Sequence, residues 1–390
     1  MSHKEKIILG ITTGSHMSVH SMMLIFPTIM LVLKNEFSTE LTTLGMIVSL
    51  STFVYGLGAL PTGFLERKYG ATTLLLIYQI GTIISTFFIA NSQSLPTLTI
   101  GLIFSGLFAS IYHPAGLTLI SHHSKKLSKG MAIHGIGGSL GLALGPMIGA
   151  GCTELISWRF AYITISIVNL LLFIITLISS RYWRDITYTT PPKDKIKSKT
   201  NKPALKYYYA VSVLMGFTFT GFTTFMPTHF ASETQTILQD FSDTMRGGIF
   251  TSLVLLSGII GQSMGGWAGE RFPLTKYLFW VVLFNIPFLV LLGLVSNYWL
   301  ISSALLLGIV HFNWQPVANS LIACLTHSRH RGLGYGINFF LNFGIGAGAA
   351  AIGGYIAEKF AVMYIFPMLG IVLFPALILS WILIGKVEEI

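Results

Sequence analysis

The sequence predicts an all-α integral membrane protein with twelve transmembrane helices in two pseudo-symmetric six-helix bundles. Three observations point there. Of the 390 residues only 10% are charged and 53% are hydrophobic, whereas a soluble domain needs about 25% charged residues to cover its surface. Apolar runs long enough to cross about 30 Å of hydrocarbon recur twelve times along the chain. Short motifs of the first half return in the second at a nearly constant offset close to 200 residues.

The spans fall at 7–33, 43–62, 72–91, 96–120, 130–152, 158–180, 207–230, 248–267, 277–296, 299–324, 332–356 and 361–384. The first contains Gly14-Ser15-His16-Met17, which matches the scar of a cleaved purification tag. The apolar run passes straight through it, and a start at Met17 would leave roughly 17 residues, barely enough to cross. The tetrapeptide is therefore read as native. The run is also too long for the apolar core of a signal peptide. Between spans six and seven lies the longest polar stretch, "RYWRDITYTTPPKDKIKSKTNKPALK", whose lysines and prolines read as a solvated linker. The expected domains are thus an N-terminal bundle at 1–180, a basic linker at 181–206 and a C-terminal bundle at 207–390.

An even number of spans puts both termini on one side. If that side is the cytoplasm, 20 of the 24 Lys and Arg residues lie there, leaving Lys34, Arg159, Arg246 and Lys359 outside. The positive-inside rule predicts such a division, so the net charge of +10 reports topology and not nucleic-acid binding. The expected location is the plasma membrane, the inner one in bacteria, with both termini cytoplasmic. Cys152 and Cys324 form no disulfide framework and no metal-ligand spacing. No metal and no cofactor are expected.

The repeat is specific in order as well as offset. Pro27 of "FPTIM" and Pro227 of "MPTHF" are 200 apart; Pro114 of "YHPAG" and Pro316 of "WQPVA" are 202 apart. Gly130 and Gly332 open the fifth and eleventh spans, again 202 apart, and Glu66 and Glu270 follow the second and eighth, 204 apart. A duplicated six-helix unit accounts for this.

With these residues in view the chain resembles the major facilitator superfamily over its whole length. The family carries a motif of the form Gly-x-Leu-Ala-Asp-Arg-x-Gly-Arg-Arg after spans two and eight. In "GFLERKYG" Gly63, Leu65 and Gly70 fit, but Arg67 takes the Asp position and Glu66 sits one residue early. In "GWAGERFP" Gly266, Glu270 and Arg271 fit. The resemblance implies a charge clamp there, a carboxylate and a basic partner holding one conformation closed; a tight turn with ordinary loop charges is the plainer account. "GLALGPMIGA" is similar to the family's antiporter motif. Gly141, Gly145 and Gly149 would admit a neighbouring helix, and Pro146 would bend the span. Among relatives that motif accompanies proton-coupled export, and generic small-residue packing is its alternative. "GSHMSVH", "ASIYHPAG", "IHGIGGSLGLALGP" and "SWRFAY" together resemble the fosmidomycin-resistance-like branch of bacterial exporters.

Ionisable groups inside a membrane mark candidate function. All fourteen carboxylates fall at loops, span ends or termini, and Leu102 stands where the family often has an Arg in the fourth span. Histidine remains. His20 lies near the middle of span one and His16 one turn nearer the cytoplasm; His113 in span four and His311 in span ten lie near their midpoints, with Gln315 on the face of His311. The resemblance implies that spans one, four, seven and ten line the central cavity. Histidine exchanges a proton near neutral pH without a large shift, so His16, His20 and His113 are candidates for proton coupling or solute contact, opposite His311 and Gln315. Hydrogen-bonded packing between helices is the competing role, and it is the one expected for His134. Thr220 and Thr224 of span seven add hydroxyls among phenylalanines, unless they bond their own helix backbone.

The expected function is secondary transport by alternating access, proton-coupled export of a neutral or anionic drug-like solute. A cationic solute would want a buried carboxylate. No phosphate-binding loop is present to suggest ATP as the drive. The runner-up is transport of a metal chelate such as a siderophore, or of another polar metabolite. A membrane di-iron oxidase is disfavoured, because His16/His20 is mid-bilayer and no HxxHH cluster exists; a solute sensor is the remaining alternative. The chain is expected to be no enzyme and to work as a monomer in the bilayer.

Overall fold

A backbone in hydrocarbon must satisfy its own amides, which leaves helices as the means of crossing for a chain of this pattern. The computed structural model describes residues 2–124, 127–183, 200–327 and 331–388. It contains eleven helices long and apolar enough to cross a membrane, and a twelfth when the bent pair His3–Thr28 and Met30–Glu36 is taken as one span. That pair is span 1, bent by 51° just after Pro27. Span 2 is Leu41–Tyr69, span 3 Ala71–Ala90, span 4 Leu95–Ala109 with Tyr112–His123, span 5 Leu127–Leu155 and span 6 Trp158–Ser179. Span 7 is Lys202–Glu233, span 8 Asp243–Gly269, span 9 Leu274–Leu292 and span 10 Asn297–Phe312 with Trp314–Leu325. Span 11 is Arg331–Phe339, a π-helical stretch Phe340–Ile345, and Gly348–Lys359; span 12 is Ile365–Glu388. All twelve predicted spans are present, most of them extended by a few residues. The greater part of the expected linker, 184–199, lies outside the described residues.

Helix ends follow local chemistry. Ser2 and Ser94 form capping boxes with Glu5 and Thr97, Ser242 accepts from the Met245 amide, and Asn201 from that of Ala204. Span 2 stops at Gly70, whose φ of +83° admits glycine at no steric cost. Spans 4 and 10 break at the same place in the repeat. Pro114 and Pro316 lack the amide that would bond Ser110 and Phe312 four residues back, and the chain turns there before the helix resumes.

The packing is pseudo-symmetric. Span 1 packs on span 5 and span 7 on span 11; span 3 packs on span 6 and span 9 on span 12; span 2 packs on span 4 and span 8 on span 10. Between bundles, span 5 meets span 8 and span 2 meets span 11. Large apolar side chains such as Ile84, Phe87, Ile371 and Trp381 point outward, where lipid is as favourable as a protein core. The interior carries Ser, Thr, Asn and His, many fully buried.

The end of the molecule far from the termini is closed. A Cβ at Gly45 would lie 2.3 Å from the Ala350 carbonyl oxygen, and one at Gly354 2.5 Å from that of Leu41, so spans 2 and 11 touch backbone to backbone. Lys34 pairs with Glu358 across the bundles at 3.0 Å, and that carboxylate also accepts from the Leu41 amide at 2.9 Å. Arg159 pairs with Glu36, and Arg246 with Asp243. Three of the four basic residues that break the positive-inside pattern therefore have carboxylate partners.

Candidate functional site

The site grows from the i, i+4 spacing on span 1. One helical turn brings the Nε2 atoms of His16 and His20 to 3.1 Å. Span 4 resumes at Tyr112 after its break, and this sets Tyr112 and His113 beside them. The His113 ring lies 5.0 Å from that of His16 and 5.4 Å from that of His20. Span 5 brings a fourth imidazole, His134, stacked on His16 with centroids 4.0 Å apart and planes 10° apart. Gly138 makes room for this arrangement, because a Cβ there would fall 2.3 Å from Cε1 of His16. The sequence assigns His134 to packing; the structure makes it part of the cluster.

Two backbone carbonyls orient the rings. Nδ1 of His16 donates to the His134 carbonyl at 2.7 Å, which leaves Nε2 of His16 as an acceptor for His20. The Tyr112 hydroxyl donates to the Thr12 carbonyl and faces Nδ1 of His134 at 3.4 Å. Below them the Tyr78 hydroxyl donates to the Ser15 carbonyl at 3.1 Å. Among the described residues neither Nε2 of His113 nor Nε2 of His134 has a hydrogen-bond partner, though both atoms are buried.

The other bundle covers the cluster. Phe339 of span 11 lies 5.2 Å from His113 and 5.0 Å from Tyr55 of span 2. From Phe339 ring contacts run to Phe343 at 4.7 Å, to Phe219 of span 7 at 6.1 Å and to His311 at 5.8 Å. Three phenylalanines thus separate the histidines of the two halves. His311 is held by Asn285 of span 9, 2.8 Å from its Nδ1. A cavity lined by Met22, Pro27, Ser51, Tyr55, Leu102 and Ser105 holds about 40 Å³, enough for a few waters and too small for an organic solute.

Gln315 sits apart from His311. Its Oε1 accepts from Gln262 of span 8 at 2.8 Å, and Gln262 in turn accepts from Ser139 of span 5 at 2.8 Å. This three-residue bridge joins the bundles on the side nearer the termini. Thr220 and Thr224 are buried on span 7, while Thr218 and Thr223 donate to the carbonyls one turn back, the backbone-bonding role foreseen for such residues. Sequence reasoning missed the network in which Asn338 accepts from Tyr208 and Ser212, and Asn342 donates to Ser212 at 2.6 Å. It also missed Tyr112, Gln262 and the aromatic plug. The repeat held one usable signal: "YHP" and "WQP" align His113 with Gln315, so their neighbours deserved equal weight.

A sequence profile described as Major Facilitator Superfamily matches residues 11–351. The chain belongs to that superfamily. It is an integral, multi-pass secondary transporter that moves a small solute across the membrane by alternating access. The Fosmidomycin resistance protein of Escherichia coli (strain K12) is 22% identical over 93% of this chain and 91% of its own length. The Quinolone resistance protein NorB of Staphylococcus aureus (strain bovine RF122 / ET3-1) is 28% identical over 37% of this chain, and the match spans only 31% of that relative's length. Among solved structures, a bacterial homologue of the human lysosomal transporter Spinster, inward-facing and occupied, aligns at TM-score 0.79 with 12% identity over 99% of this chain and 98% of its own. A mutant of the peptide transporter POT in complex with sulfate aligns at 0.81 with 15% identity over 99% and 94%. At such low identity these superpositions show a shared fold alone.

The superfamily motifs sit at helix contacts and at span ends. Gly141, Gly145 and Gly149 form a stripe against span 1: a Cβ at Gly141 would lie 2.3 Å from the Met17 carbonyl oxygen, at Gly145 2.6 Å from that of Ser21, and at Gly149 3.4 Å from that of Ile25. The Pro146 carbonyl faces Gly248 of span 8, so one motif seats a helix of each bundle. Glu66 is buried near the end of span 2, where its carbonyl accepts from the Gly70 amide at 2.8 Å. Gly63 and Arg67 lie outside the residues whose surroundings are described. Glu270 and Arg271 are exposed, and Arg271 covers Trp267 at 4.6 Å. Among the described residues the ion pairs lie at the opposite end, and none involves Glu270 or Arg271.

Proposed function

We propose that this transporter exports a neutral or anionic drug-like organic solute in exchange for protons, and that it belongs to the fosmidomycin-resistance-like branch. The observation that carries the reading is the aromatic plug. The histidine cluster of one bundle and His311 of the other are divided by Phe339, Phe343 and Phe219, so both become accessible only when the bundles part. His16, His20 and His113 would meet the solute on one side, with His311, Gln315, Thr220 and Thr224 on the other. Every described carboxylate lies in the outer turns of a span or beyond, which favours a neutral or anionic solute over a cation. The proton gradient is proposed as the drive because the chain carries no phosphate-binding loop. Kinship along 93% of the chain with the Fosmidomycin resistance protein supports both the branch and the outward direction.

The remaining parts of the reading are of the same kind. The protein acts without enzymatic turnover, as a monomer, in the bacterial inner membrane with both termini cytoplasmic. Gly63, Glu66, Arg67, Gly70, Glu270 and Arg271 would close the cytoplasmic side when the far side opens, with the span 5 motif as pivot. Transport of a metal chelate or another polar metabolite, inward or outward, is the second reading, favoured by the nitrogen-rich cluster. The test is a panel of solutes in proteoliposomes under an imposed pH gradient. Uptake into vesicles that is gradient-driven and collapses with a protonophore supports the proposal. Movement of the preferred solute at the same rate without a gradient overturns it.

A further inference from the structure

We propose that His16, His20, His113 and His134 form a binding site for one divalent transition-metal ion of the Zn²⁺ class. The inference concerns what the cluster holds and stands apart from which solute is carried.

The donors are already gathered. His16, His113 and His134 each offer a ring nitrogen, all within 4.8 Å of one another. Zinc–nitrogen bonds of 2.0–2.1 Å in a tetrahedron put ligand nitrogens about 3.3 Å apart; His20 Nε2 stands 3.1 Å from His16 Nε2 and becomes the fourth ligand once its proton moves to Nδ1, the neutral ring's other tautomer. The set contains four imidazoles from three spans and no carboxylate or thiolate. Imidazole nitrogen suits zinc, copper, nickel and cobalt, whereas magnesium and calcium want oxygen.

The hydrogen bonds also leave ring lone pairs free. Because Nδ1 of His16 donates to the His134 carbonyl, its Nε2 carries the lone pair. Because the Tyr112 hydrogen goes to Thr12, that hydroxyl can accept from Nδ1 of His134, and Nε2 of His134 is left bare. A carbonyl and a hydroxyl that fix ligand tautomers are the usual outer partners of metal-binding histidines. Packing alone explains His16 and His20. It leaves the buried Nε2 atoms of His113 and His134, which have no partner among the described residues, without a role. Loading the site tilts the parallel His16 and His134 rings out of their stack, and the glycine at 138 leaves no side chain to obstruct the movement.

The full chain, purified with an affinity tag free of histidine and stripped with chelator, is titrated with Zn²⁺ and with Co²⁺. About one ion per chain should remain after desalting, and Co²⁺ should show the intense visible absorption of a tetrahedral nitrogen site. His113→Gln and His134→Gln should each weaken binding at least tenfold, and Tyr112→Phe about tenfold through the lost outer partner. His122→Gln, at the exposed end of span 4, should leave binding unchanged. Binding retained in both His113→Gln and His134→Gln overturns the proposal. If those variants fail to fold, the wild-type Co²⁺ spectrum decides, since weak octahedral bands or no bands overturn it equally. Metal binding is read without a transport assay, so its failure leaves the export reading standing, and failed export leaves the metal site standing.

Discussion

Removal of the Glu358 side chain should open the end of the transporter far from its termini. Its carboxylate holds the two bundles together by accepting from Lys34 of span 1 at 3.0 Å and from the Leu41 amide at the start of span 2 at 2.9 Å. The ion pair is partly solvated, with side-chain exposures of 36% and 20%, so it contributes at most about 1 kcal/mol. The bond from a backbone amide at a helix start to a carboxylate contributes about 1.5–2 kcal/mol more. Both are made only while this end is closed. Glu358→Ala should therefore shift the closed-to-open ratio by about 2–3 kcal/mol, or about 30- to 150-fold. Lys34→Ala leaves the amide bond in place and should shift it about fivefold or less. Spin labels at the exposed positions Gln93 and Asp240, one on each bundle at this end, report the opening as a longer pulsed-EPR distance. The reasoning fails if Lys34→Ala opens this end as far as Glu358→Ala, or if neither lengthens the distance distribution.

Gly141→Leu should fail to accumulate as folded protein, because its Cβ alone would stand 2.3 Å from the Met17 carbonyl oxygen; overpacking of this kind costs about 1–3 kcal/mol or more, and detergent size exclusion with thermal melting reads the loss. Gly135→Ala, with nothing within 4 Å of the added Cβ, should melt like the wild type. His20→Ala and His113→Ala, matched for surface expression, should each lower solute export at least tenfold; wild-type export in both would dissociate the cluster from transport. Phe339→Ala removes the ring that covers His113 and should speed labelling of a cysteine placed at Tyr55, measured by maleimide reaction rate.

Much of this protein is written in periodicity. Twelve apolar runs became twelve spans because the bilayer demands a fixed length of apolar helix, and the repeat paired the prolines at 114 and 316, which stand just after the breaks of spans 4 and 10. His16 and His20 could be paired from their spacing alone, since a helix places residues four apart on one face. The positive-inside count could single out Lys34, Arg159 and Arg246 as exceptions, though not supply their carboxylate partners.

His134 shows where that reading stops. It lies in the half of span 5 nearer the termini, and nothing in its neighbourhood sets it apart from a packing residue. Only the glycine stripe from Gly138 to Gly149, pressed against span 1, turns its ring onto His16. The plug of Phe339, Phe343 and Phe219 and the bridge from Ser139 through Gln262 to Gln315 have the same origin. The sequence by itself determined what each helix is and how far it reaches, because those depend on the chain's own backbone and on the thickness of the membrane. Which faces meet was decided by the tertiary structure alone, because a contact between helices depends on close approach and rotation, and residues more than a hundred positions apart share no local signal of either.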